Sequence, residues 1–163
     1  MTTPKGYSSI QIALHWGVAV LIFGQLIFGE EIGAAYRAAM RGEVPETGVM
    51  VWGHIVGGIA VLALVAWRLV LRAKRGAPLP PEADTPLQRR VGQVVHVTLY
   101  GLMIVAPITG LVAWFGLNGT AGEVHAWLKP AFILLIAVHV LAALWHQFWL
   151  KDGLMERMRR SLD

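Results

Sequence analysis

The sequence predicts an all-α integral membrane protein, a bundle of four spanning helices, and three observations carry that prediction. Hydrophobic residues make up 56% of the 163-residue chain and charged residues only 15%, against about 25% charged in an ordinary soluble domain. The apolar residues fall into four long stretches, each at least as long as the roughly 20 helical residues that cross a hydrocarbon core. The basic residues collect outside those stretches and mostly on one side of them. A soluble domain of this composition would expose large apolar patches, and a disordered chain is excluded by the same hydrophobicity. One transmembrane domain covering residues 1–163 is expected.

The spans are placed at about 10–29, 49–71, 91–117 and 121–150. Each is apolar around its whole circumference, as a lipid-bathed helix should be. The first ends at Glu30 and Glu31, and Ser8 or Ser9 can cap its start. Three equal segments follow it and it lacks a small-residue cleavage site, so it is read as a span rather than a signal peptide. In the second, Gly57 and Gly58 let a neighbour or a flat ligand approach the backbone. The Pro-rich stretch from Gly76 to Pro86 cannot be helical throughout. Thr120 to Glu123 reads as a capping box opening the fourth span. Pro107 and Pro130 should kink the third and fourth.

Four spans put the amino-terminus, the 72–90 linker and the carboxy-terminus on one side. That side holds Lys5, Arg68, Arg72, Lys74, Arg75, Arg89, Arg90, Lys151, Arg157, Arg159 and Arg160; the other holds Arg37, Arg41 and Lys129. The asymmetry predicts that both termini are cytoplasmic, in the inner membrane of a bacterium. It also accounts for the net charge of +4 without nucleic acid: the cations are topological signals and headgroup contacts. The absence of cysteine removes disulfides and thiolate-held clusters. Metal chemistry, if present, must rest on histidine, carboxylate or methionine.

Six histidines, at 15, 54, 96, 125, 139 and 146, lie within or at the ends of the spans, where ionisable residues are costly and mark function. His125 and His139 are 14 residues apart, about 40° apart around the helix and about 21 Å apart along it. His15 lies near the cytoplasmic start of span one and His54 near the opposite start of span two. Depth therefore pairs His54 with His125 and His15 with His139, giving two bis-histidine sites stacked across the bilayer. His139 and His146 also share a face but lie only about 10 Å apart, too close for two upright porphyrins. Zinc normally takes three or four ligands, and no Asp or Glu lies inside the apolar stretches, the fourth of which runs from Val124 to Leu150, to complete such a set. Iron in a porphyrin needs only two axial ligands, which each pair supplies.

The segments Ile12-Ala13-Leu14-His15-Trp16 and Trp52-Gly53-His54-Ile55 belong to one pattern with His125 and His139. The run from His139 to His146 and the ending Lys151-Asp152-Gly153-Leu154-Met155-Glu156-Arg157-Met158 complete it. Together they resemble the bacterial cytochrome b561 family of four-helix, di-haem membrane proteins, over nearly the whole chain from Tyr7 to Met158. The likeness extends to the cytochrome b subunits of formate dehydrogenase and nickel–iron hydrogenase. It implies two stacked b-type haems with His15, His54, His125 and His139 as axial ligands of the irons. It also implies a quinone site near the cytoplasmic haem, for which His146 and His96 are candidates, since a histidine can both donate to a carbonyl and supply a proton. Tyr100, four residues beyond His96, is expected to pack. Lys129 is a candidate partner for an outer haem propionate, and Arg68 and Arg72 for an inner one. The implied activity is electron transfer from superoxide outside the membrane to ubiquinone inside it, without a catalytic side chain. The alternative is a relay subunit that docks a periplasmic redox protein or dehydrogenase, with the acidic outer loop around Glu43 and Glu46 as its docking surface. A haem-free transporter is a third reading, and predicts no Soret band.

Overall fold

The computed structural model describes residues 4–81 and 84–161. Among these residues are five α-helices and no strand: α1 (Ser9–Ile27), α2 (Glu30–Met40), α3 (Val49–Arg75), α4 (Pro86–Gly116) and α5 (Gly119–Trp145). A π-helical turn, His146–Leu150, continues α5, and a 3-10 turn covers Met155–Met158. Four helical stretches are long and apolar enough to cross a membrane: α1, α3, α4 and the continuous run Gly119–Leu150. Few of their side chains are buried within the protein, least of all in α4 and α5. All the tryptophans except Trp114 are exposed, an outward-facing aromatic surface suited to lipid and its interfaces.

The helices begin where side chains can satisfy free backbone N–H groups. Ser8 and Gln11 form a reciprocal capping box at α1, and Thr85 and Gln88 form another at α4, where Pro86 takes the first helical position. For α5 the expected Thr120 box gives way to Asn118, whose side chain accepts from the Ala121 N–H at 2.9 Å. Asn118 is extended and just outside the helix, the geometry a cap requires, whereas Thr120 already lies in the first turn.

The second and third spans extend past their hydrophobic limits, through Arg72–Arg75 and from Pro86. Backbone hydrogen bonding does not stop where hydropathy falls, and cations in the last turn of α3 favour the helix dipole. The remaining linker is short. Glu82 and Ala83, inside the Pro-rich stretch, lie outside the described residues.

One element was not foreseen in the sequence reading. The chain after span one folds into α2, with Glu30 and Glu31 in its first turn and Arg37 in its last. Both charge placements suit the helix dipole. α2 buries Ala35 against Val51 and Ile55 of α3. The Tyr36 hydroxyl donates to the Asn118 carbonyl at 2.8 Å, which ties α2 to the α4–α5 turn. Val18, Val61, Val65, Met103 and Phe132 form the buried centre of the bundle, drawn from α1, α3, α4 and α5. Close packing of this kind, rather than a hydrophobic driving force, holds helices together in lipid.

The end carrying the termini is laced by polar contacts between distant segments. Gln11 donates to the Gly76 carbonyl at 3.2 Å, and Arg68 donates to the Gln11 carbonyl at 3.2 Å. The Trp16 indole donates to the Met158 carbonyl at 2.8 Å, and Arg157 donates to the Leu79 carbonyl at 2.6 Å. The start of α1, the α3–α4 linker and the carboxy-terminal tail thus meet at one end, and α2 covers the other.

Candidate functional site

Toward the α2 end, α3 and α5 bring His54 and His125 together with ring centres 6.1 Å apart and ring planes at 84°. His125 Nδ1 lies 2.8 Å from the Ala106 carbonyl oxygen. A carbonyl only accepts, so this contact assigns the proton to Nδ1 and leaves Nε2 as the basic ring atom. Ala106 directly precedes Pro107 in α4. The proline, foreseen as a kink, thus stands beside the carbonyl that orients His125, and the Thr109 hydroxyl donates to the same oxygen at 3.0 Å.

His54 Nδ1 is buried and has no hydrogen-bond partner. Both rings line a cavity of about 370 Å³, mostly apolar, with Arg37 and Lys129 on its wall. Gly29, Gly58, Gly110 and Gly122 also line it. Gly110 lies against the His125 ring, where a Cβ would stand 3.0 Å from Cε1, and Gly122 lies against the Tyr36 ring. Gly57, paired with Gly58 in the sequence reading, instead receives the Gln25 side chain from α1.

Toward the other end, His15 of α1 and His139 of α5 have ring centres 6.2 Å apart. His96 of α4 joins them, 5.2 Å from His139. His15 and His139 are half-buried, whereas His96 is exposed on the flank of the bundle. Arg68 acts electrostatically on all three rings and reaches the Tyr100 hydroxyl at 3.5 Å.

His146 lies apart from this cluster's ring contacts and is buried among polar groups. Lys151 adopts a left-handed conformation (φ 51°), its N–H donates to the His146 carbonyl at 2.7 Å, and the chain turns back. Asp152 is thereby placed with one carboxylate oxygen 2.5 Å from His146 Nδ1 and the other accepting from the Leu154 N–H at 3.0 Å. Burial raises the Asp152 carboxyl, but the His146 ring and the Leu154 N–H outweigh it and hold the group below its usual value.

The model of the family described as "Prokaryotic cytochrome b561" matches residues 6–161. The chain belongs to the prokaryotic cytochrome b561 family. Three curated relatives agree. Cytochrome b562 of Cereibacter sphaeroides is 39% identical over 98% of this chain and 99% of its own length. A probable superoxide oxidase, CybB, of Yersinia pestis is 30% identical over 94% and 96%. Cytochrome b561 homolog 2 of Escherichia coli is 26% identical over 96% and 92%. This cytochrome b561 is therefore a membrane electron-transfer protein of bacterial type, and the family implies haem b as its cofactor.

The side chains of this cytochrome fit that cofactor. A metal–imidazole bond of about 2 Å sets two ring centres on opposite faces of one metal roughly 6 Å apart. The 6.1 and 6.2 Å separations match that spacing, whereas the 5.2 Å contact of His96 with His139 is too short for it. The unpartnered His54 nitrogen and the glycine-floored cavity are further features of a pocket for a flat apolar ring. The sequence reading missed Tyr36 and Arg37 of α2 and Ala106 beside Pro107. Glu30 and Glu31 followed by the helix-forming run to Met40 signalled α2, but a hydropathy reading ends at the first charges.

Proposed function

We propose that this cytochrome holds two haems b, one between His54 and His125 and one between His15 and His139. In this reading it oxidises superoxide on the side of α2 and reduces ubiquinone near the side of the termini. The observation that carries the reading is the pair of histidine couples, spaced alike and set toward opposite ends of one bundle. The cofactor, when bound, supplies one-electron redox chemistry between the two sides. The side of the termini is the cytoplasmic one, because eleven of the fourteen basic residues stand there.

The chain's own residues have three tasks. The Ala106 carbonyl holds His125 in the tautomer that presents Nε2. Lys129 and Arg37, on the cavity wall, neutralise anionic groups there and attract an anionic substrate, and Arg68 neutralises such groups among the other histidines. Protons come from the end that carries the termini. Ubiquinone takes up two electrons from two superoxide ions, which leave as oxygen, and two protons from water on that side.

His96 lies exposed beside His139, where a lipid-soluble quinone can reach it, and it is the group for a quinone carbonyl. His146, with Nδ1 held by Asp152, presents Nε2 as the basic atom that takes up a proton and hands it on toward the quinone. The test is the purified protein alone, in lipid nanodiscs, with a superoxide source and ubiquinone. Catalysed ubiquinol formation without a partner protein is the expected result. Absence of turnover, with both haems present and restored by an added periplasmic redox protein, would replace this reading by the relay alternative.

A further inference from the structure

We propose that Asp84, His146 and Asp152 form a binding site for a divalent cation of the zinc class. The three residues come from separate segments: the linker before α4, the π-helical turn after α5, and the chain reversal beyond it. One ligand atom from each lies within 4.8 Å of the other two. The site is enclosed, with the His146 side chain 11% exposed and each aspartate side chain 8% exposed.

Asp84 is what separates this cluster from an ordinary ion pair. Asp152 already satisfies Nδ1 of His146, and its other oxygen is taken by the Leu154 N–H. Oδ1 of Asp84 stands 3.9 Å from the same Nδ1, buried and without a hydrogen-bond partner. A buried carboxylate oxygen with no donor is costly, and such groups require an explanation. Two carboxylates sharing one imidazole in an enclosed space leave excess negative charge, which a dication cancels.

The donor set selects the cation. One imidazole nitrogen with two carboxylate oxygens suits zinc and similar borderline ions, with water completing the shell. Magnesium and calcium prefer oxygen ligands alone. Bonds of about 2.0–2.2 Å require ligand atoms roughly 3–3.6 Å apart. Small side-chain movements supply this: the His146–Asp152 pair opens and Asp84 closes. The cation takes the place of the Nδ1 hydrogen, and the displaced proton moves to Nε2 of the same ring, so no oxidant or other reactant is needed. Binding clamps the linker and the tail to the end of the last span.

The binding site stands independently of the quinone reading; only an effect of the cation on quinone reduction rests on it. The experiment uses the full-length, tag-free, haem-loaded protein in nanodiscs, titrated calorimetrically with Zn²⁺ in two buffers of different ionisation enthalpy. One zinc per chain is expected, with the same stoichiometry in both buffers, and Mg²⁺ should give no binding signal. Asp84→Asn, which keeps size and leaves the His146–Asp152 contact in place, should weaken zinc binding at least tenfold with both haem spectra unchanged. Asp152→Asn should do the same, and zinc should slow tryptic cleavage of the wild-type tail. No stoichiometric zinc, or wild-type affinity in Asp84→Asn, would overturn the site. Zinc bound in full with quinone reduction unslowed would support the site and count against His146 as the proton carrier.

Discussion

Gly110 of α4 faces the His125 ring so closely that a methyl group on it would stand 3.0 Å from Cε1 and 3.1 Å from Nδ1. Hydrogen is the only substituent at that position that leaves the ring where the Ala106 carbonyl holds it. Gly101, nine residues earlier on the same helix, has open space where its Cβ would be. Gly110→Ala should displace His125, at a cost of about 1–3 kcal/mol typical of overpacking. It should lower haem occupancy at the α2 end, whereas Gly101→Ala leaves it unchanged. Haem-to-protein ratios of the two variants, purified in parallel, make the comparison.

Two haems per chain are expected, both low-spin and six-coordinate, because each would have two histidine ligands. His54→Ala or His125→Ala should remove one and leave the other, and His15→Ala or His139→Ala should do the reverse. A pyridine haemochrome assay on wild type and variants counts them; one haem per wild-type chain would contradict the two-site reading.

The pairing of these histidines was legible in the sequence because helical rise converts residue number into depth. Fourteen residues between His125 and His139 already separate two sites on one helix. Two features were not legible. The neighbourhood of His96 and His139 depends on how α4 turns against α5, and a helix apolar on all faces carries no phase information. The Asp84–His146–Asp152 cluster depends on a positive φ at Lys151 and a five-residue π turn, neither of which leaves a periodic mark. Hydropathy also ended α3 too early and started α4 too late, since it reports where the bilayer stops rather than where the helix does.

His146→Leu and His96→Leu should each keep both haem spectra. Each should slow reoxidation of the pre-reduced protein by a ubiquinone analogue at least roughly tenfold, the order expected when a positioned acid or base is lost. Stopped-flow absorbance at the α-band measures it. Wild-type speed in either variant, with both haems intact, would remove that histidine from the quinone site.

Both termini should be cytoplasmic. A carboxy-terminal fluorescent fusion should fluoresce, and a reporter active only in the periplasm should work when inserted at Gly42. That residue is exposed in the turn after α2, has φ +77° and has no atom near where its Cβ would be. Activity on the reversed sides would reject the topology.

The turn between α4 and α5 consists of Leu117 and Asn118 alone, with Leu117 left-handed at φ 46° and Asn118 capping the helix that follows. So short a connection bears on how the protein is made. Helices joined this tightly form a hairpin that can enter the bilayer as one piece, and its apex carries no charged group. The link between α1 and α3 must deliver Glu30, Glu31, Arg37, Arg41, Glu43 and Glu46 to the far side. With both termini cytoplasmic, the second half of the chain should therefore insert more readily than the first.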